Sequence, residues 1–172
     1  DQRNPGRIFG GTQDNGTVRL SIPPDRWQII RGDVDGGALC LDSNFLYTMG
    51  TLSIFPFRST NGGQSWSSLR EGLDPASNRP NWLQPLLLHP ADKARLYTAT
   101  QFVYEARDVN RPPTTTAWKA ISPDLSTGSG AYESVVTALA IAPSDGNVMY
   151  AGTGDGRVHR TTTLLAAMPG WT

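Results

Sequence analysis

The sequence predicts an all-β chain of about four repeat units, each of about four short antiparallel strands, with incomplete units at both ends. Three observations carry that prediction. Gly (18) and Pro (13) are abundant and helix-period segments are almost absent, as expected of short strands joined by many turns. β-type runs ending in an aromatic recur along the whole chain. The landmarks keep a period: Tyr47, Tyr97 and Tyr150 lie 50 and 53 residues apart, and Trp27, Trp66, Trp118 and Trp171 lie 39, 52 and 53 apart. A period near 40 to 50 with about four strands per unit is the signature of β-propeller blades, a stacked solenoid being the alternative.

The chain reads as a single segment, 1–172, divided at about 1–32, 33–78, 79–130 and 131–172. The first unit holds runs at 8–12 and 17–19 before Trp27. The second has Ala38-Leu39-Cys40-Leu41, then Phe45 to Met49, then Phe57-Arg58 and Trp66. The third and fourth repeat this order, with Leu86-Leu87-Leu88 and Leu139-Ala140-Ile141-Ala142 as small or apolar first strands, and Trp118 and Trp171 at their ends. Pro and Asp in Pro90-Ala91-Asp92 and Pro143-Ser144-Asp145 favour the turns that follow. Arg19, Arg58, Arg107 and Arg160 precede the tryptophans by 8, 8, 11 and 11 residues and are read as equivalent positions. Unit one enters at its second strand and unit four stops before its fourth is complete, so unfinished sheets are expected to take a strand from another chain or from further sequence.

Composition narrows the function. Lys and Arg (15) balance Asp and Glu (15), which argues against a nucleic-acid or anionic-membrane surface. No apolar run approaches the ~20 residues of a membrane span. With no leader and no initiator Met, the chain is expected to begin after processing or to be a piece of a longer one. Cys40 is the single cysteine and is read as a buried thiol; no cofactor or metal site is expected.

The segment Ser59-Thr60-Asn61-Gly62-Gly63-Gln64-Ser65-Trp66 is read as a tight turn. Asn61 bonds nearby amides, Gly62 and Gly63 accept positive φ, and Trp66 restarts the strand as an anchor. It resembles the Asp-box, or BNR repeat, Ser-x-Asp-x-Gly-x-x-Trp, with Asn61 in place of Asp. Together with 10–17, Trp27 and 32–37, it looks like secreted bacterial sortilin-like and photosystem-assembly-factor-like propellers. The same repeat occurs in sialidases and in xyloglucanase-type glycoside hydrolases. The resemblance implies a propeller, a secreted, extracellular or periplasmic location, and a carbohydrate or peptide ligand. The sialidase Phe/Tyr-Arg-Ile-Pro segment is absent, and units one, three and four must build their turns differently.

Candidate site residues follow. Ser59, Asn61, Gly63 and Trp66 form the turn, and Trp27, Trp118, Trp171, Tyr47, Tyr97 and Tyr150 are the blade anchors. Asp14, Asp33 and Asp35 before glycines suit turns, with ligand or cation binding as the alternative. Glycoside hydrolysis needs two carboxylates across a cleft, and Asp14, Asp33, Asp35, Glu133 and Asp155 lie in loops, with nothing in their spacing to select a pair. Asn15-Gly16-Thr17 fits an N-glycosylation site. Trp82 lies outside the repeated set and reads as packing or as a sugar-stacking platform. His89 and His159 read as structural. The favoured function is a binding or structural module that joins head to tail through its unfinished blades; the alternative is part of a polysaccharide-cleaving propeller hydrolase.

Overall fold

A computed structural model describes residues 1, 4–32, 37–40, 42, 44–50, 54–111, 117–128, 130 and 133–172. They form fourteen strands and no helix: β1 (Arg7–Thr12), β2 (Gly16–Ser21), β3 (Arg26–Arg31), β4 (Ala38–Cys40), β5 (Leu46–Met49), β6 (Pro56–Ser59), β7 (Ser67–Ser68), β8 (Leu86–Leu88), β9 (Leu96–Ala99), β10 (Val103–Ala106), β11 (Lys119–Ala120), β12 (Val136–Ile141), β13 (Met149–Thr153) and β14 (Val158–Thr161). Each strand pairs antiparallel with its sequence neighbour inside one of four separate sheets, β1 to β3, β4 to β7, β8 to β11 and β12 to β14. Four consecutive meanders of three or four short strands are blades, because each strand pairs only with its sequence neighbours inside its own sheet.

The register fixes which positions correspond. Arg19 pairs with Gln28, Arg58 with Ser67 and Glu105 with Lys119, each partner being the residue after a tryptophan. In the fourth blade Arg160 exchanges two backbone bonds with Thr172, the residue after Trp171, at 2.8 and 2.9 Å. Glu105 therefore occupies the position read from the sequence as Arg107, because the following loop is longer than the tryptophan count shows. The same register makes β1 a second strand: it packs near β4 as β9 packs near β12. The inner edge of β1, where the other blades carry β4, β8 and β12, pairs with no strand among the described residues.

The core lies between the sheets. Tyr47, Leu69, Leu96, Val109 and Trp118 fill the gap between the second and third blades. Tyr97, Val103, Ile121, Met149 and Leu164 fill the next. Strands β5 and β9 are buried at every residue because a sheet covers each face, whereas β13 alternates buried with exposed or half-buried. That difference explains two of the expected anchors. Trp27 is 55% exposed and Tyr150 42% exposed, since they point away from the stack on its first and last sheets.

One bond recurs at every gap. The indole Nε1–H of Trp66 donates to the Ile30 carbonyl at 3.1 Å, that of Trp118 to Leu69 at 3.2 Å and that of Trp171 to Ile121 at 2.8 Å. Each acceptor lies three residues after the preceding blade's tryptophan. Burying an indole without a partner for its N–H is costly, so the bond fixes where each ring sits. At Trp118, only 4% exposed, Trp118→Phe is expected to lower unfolding stability by about 1–3 kcal/mol, with the Leu69 carbonyl left unpartnered. Urea unfolding measures this; a loss no larger than that of Trp82→Phe would contradict the bond's structural role.

Candidate functional site

The turn between β6 and β7 is built from its own side chains. Ser59 Oγ donates to Asn61 Oδ1 at 2.9 Å and accepts from the Gly63 amide at 2.8 Å. Asn61 Oδ1 also accepts from the Ser65 amide at 2.9 Å, and its Nδ2 donates to Ser65 Oγ at 2.8 Å. Gly62 and Gly63 take φ of 70° and 89°, where a side chain is strained, and a Cβ on Gly63 would lie 3.0 Å from Ile30. The turn thus presses on the preceding blade and delivers Trp66 to its acceptor.

The third and fourth blades make the same backbone bond by different chemistry. The amides of Gly62, Val109 and Leu164, each four residues past the β6, β10 or β14 landmark, donate to the carbonyls of Asn44, Ala94 and Asn147. The carbonyl at this +4 position also receives the preceding blade. Arg19 donates to Gly62 O at 3.1 Å, and both Arg58 and Tyr47 donate to Val109 O, at 3.1 and 2.9 Å. Burial pushes the Tyr47 phenol well above its ordinary value and keeps it a donor. Glu105 cannot donate, and instead binds Arg95 at 2.7 Å, Arg107 at 2.8 Å and the Tyr97 hydroxyl at 3.2 Å. Burial, then the Glu105 charge, raises the Tyr97 phenol as well. His89 bridges the last two blades: its Nδ1 accepts from the Ala91 and Asp92 amides, so Nε2–H donates to Gly146 O at 3.1 Å.

The connections after β7 and β11 join the β9–β10 and β13–β14 turns in a polar surface that could hold a ligand. Buried Asn78 accepts from Thr100 Oγ1 at 2.6 Å and from the Tyr104 hydroxyl at 2.7 Å. Arg79 reaches Asp124 at 2.6 Å and Ser126 at 2.9 Å. Asp155 accepts from the Thr153 hydroxyl, from the Thr127 amide at 3.1 Å, and faces Arg157 at 3.6 Å. Asn81 accepts from the Trp82 amide at 2.7 Å, and the Trp82 ring stands 42% exposed beside exposed Leu83. This surface offers an aromatic plate, amides and held carboxylates, the ingredients of sugar or peptide binding. As chemistry it is poorly set for acid catalysis: the Thr153 hydroxyl, then the Thr127 amide, hold the Asp155 carboxyl down from 3.8 to about 2, whereas a general acid needs a raised value.

The remaining sequence candidates are scattered. Asp14 and Asn15 form the exposed β1–β2 turn, with Asp14 at a φ of 64° and Asn15 Nδ2 donating to Gln13 O at 3.0 Å. Glu133 is exposed before β12, and His159 is half-buried in β14. Asp33 and Asp35 lie outside the described residues, and so does the Cys40 side chain. Among the described residues no three His, Cys, Asp or Glu side chains gather to hold a metal. The sequence reading missed Arg79, Asp124 and Asn78, whose partners lie up to 47 residues away in loops without a period.

The four meanders, stacked by a repeated contact, define an all-β, propeller-type segment. No family model and no curated protein matches the sequence. Solved structures do. One is a GH74 enzyme from Niastella koreensis, at 14% identity and a TM-score of 0.67, covering 99% of this chain and 28% of that one. Another is a 6-phosphogluconolactonase candidate from Bacteroides uniformis, at 15% identity and a TM-score of 0.57, covering 97% of this chain and 50% of that one. At these identities the likeness is one of fold, and this chain spans half or less of each neighbour.

Because its folded carboxyl sits lower than the unfolded one, Asp155 stabilises the fold above the ordinary value, and this contribution is lost as pH falls from 3.8 through about 2. A carboxyl-detected NMR titration is expected to place Asp155 at about 2 and to move it upward in Thr153→Val. A midpoint unmoved by that change would contradict the assigned cause.

Proposed function

We propose that this chain belongs to the Asp-box (BNR-repeat) propellers of the secreted bacterial sortilin-like or photosystem-assembly-factor-like kind. Its proposed role is that of an extracellular or periplasmic interaction and structural module. Support for the family comes from the Ser59–Asn61–Ser65 bonding and from Trp66 closing the turn against the preceding blade. The function rests on one observation: among the described residues no strand pairs with the inner edge of β1 beyond Arg7, whose N–H and C=O are taken by Asn4 and the N-terminus, at the place where every other blade has a small or apolar first strand. Such an edge is a template for an added strand, with main-chain bonds giving affinity and alternate side chains giving specificity.

A synthetic peptide with the sequence of residues 136–143 is the direct probe, because it copies the strand that fills this position in the fourth blade. It is expected to bind and to slow hydrogen exchange at the outward amides of Phe9 and Gly11 in β1. Binding without protection there, or no binding, overturns the strand-acceptor function.

A second reading, part of a polysaccharide-cleaving hydrolase, is favoured by the exposed Trp82 ring and by the GH74 enzyme among the structural neighbours. Incubation with a polysaccharide panel tests it: release of reducing ends that Asp155→Asn abolishes would displace the binding-module reading.

A further inference from the structure

Two Asn-Gly pairs stand in the chain, Asn15-Gly16 and Asn61-Gly62, and the fold treats them differently. An asparagine before glycine is open to an internal reaction, because glycine has no side chain to keep its amide nitrogen away from the asparagine carboxamide. Base removes the glycine N–H proton and the nitrogen bonds to the asparagine Cγ. The Cγ–Nδ2 bond then breaks, and the nitrogen leaves as ammonia after taking a proton from water. Water opens the cyclic imide at either carbonyl, giving aspartate or its backbone-extended isomer, isoaspartate. The glycine nitrogen must be free of its hydrogen bond, and the carboxamide must be free to turn onto it.

At Asn61 both groups are held. Oδ1 accepts from Ser59 Oγ and from the Ser65 amide, each at 2.9 Å, and Nδ2 donates to Ser65 Oγ at 2.8 Å. The Gly62 N–H donates to the Asn44 carbonyl at 3.0 Å, in the segment between β4 and β5. Cyclisation here breaks all of these bonds, and they belong to the turn that seats Trp66.

At Asn15 little is held. The residue is exposed, and among the described residues its side chain makes one bond, Nδ2 to the Gln13 carbonyl at 3.0 Å. Gly16 pairs with Thr12 at the very end of the β1–β2 ladder, so fraying of a single pair frees its amide. The turn requires this glycine: its φ is 83°, and a Cβ would lie 2.1 Å from the Arg31 carbonyl oxygen. Gly16 leads directly into buried Thr17, whose hydroxyl meets that of Thr48 in the second blade at 2.9 Å.

We infer that Asn15 is a site of spontaneous covalent modification in the folded protein, converting to aspartate and isoaspartate, while Asn61 is protected by its own turn. Each event adds a negative charge to a chain whose formal net charge is zero. Isoaspartate also puts an extra carbon into the backbone next to Gly16, where the Arg31 carbonyl already crowds the chain. That displaces Thr17 from Thr48 and loosens the first blade from the second.

Peptide mapping by mass spectrometry tests this on protein aged at mildly alkaline pH, native and in guanidinium chloride. In the native protein the Asn15 peptide is expected to gain about 1 Da at a rate roughly tenfold or more above that of the Asn61 peptide, and unfolding is expected to bring the two rates within about threefold. Asn15→Gln keeps a carboxamide at this exposed position and is expected to remove most of the acidic species that ion exchange separates. Isoaspartate-containing protein from that separation is expected to unfold at a lower denaturant concentration than Asn15→Asp, which carries the charge without the backbone change. Equal native rates at the two asparagines, a faster Asn61, or a ratio that unfolding leaves unchanged overturns the inference. Isoaspartate-containing protein as stable as Asn15→Asp overturns the link to the second blade.

Discussion

Every gap between sheets in this molecule is bridged by an indole N–H donating to a backbone carbonyl three residues beyond the previous tryptophan. A buried indole has one donor and a large apolar body, so satisfying both with one neighbour leaves little freedom in how two blades meet. A second fastening, from an arginine or tyrosine to the +4 carbonyl, anchors the opposite direction across the first two gaps. Apolar clusters between the sheets then fill the space that these bonds define.

Repetition explains the ends as well. A blade in the middle of the stack has both faces covered, and its second strand becomes buried throughout, as β5 and β9 are. On the first and last sheets one face is covered by no other described sheet, which is why Trp27, Ile29, Tyr150 and Val158 are exposed.

The architecture was legible in the sequence wherever one residue type carries one bond in every unit. Trp66, Trp118 and Trp171 kept their period because each serves the same acceptor position, and Ser59 to Trp66 announced its turn because the bonds are local. Arg107 misled because the third blade replaces the equivalent arginine by Glu105, and a longer loop before Trp118 hid the substitution. Exposure of Trp27 and Tyr150 depends on what covers a sheet, which periodicity does not encode. The loop surface of Asn78, Arg79, Asp124 and Asp155 was legible only in part: Asp155 stood out as a loop carboxylate, but the long-range partners that fix the others follow no local rule.

The measurement that bears most directly on this account is hydrogen exchange at the five indole N–H groups, followed by NMR in dilute protein. Trp118 should exchange slowest, Trp66 and Trp171 should be protected, and Trp27 and Trp82 should exchange at close to the solvent-exposed rate. Equal rates for all five, or a Trp27 protected as strongly as Trp118, would contradict the bond on which the stacking of the blades depends.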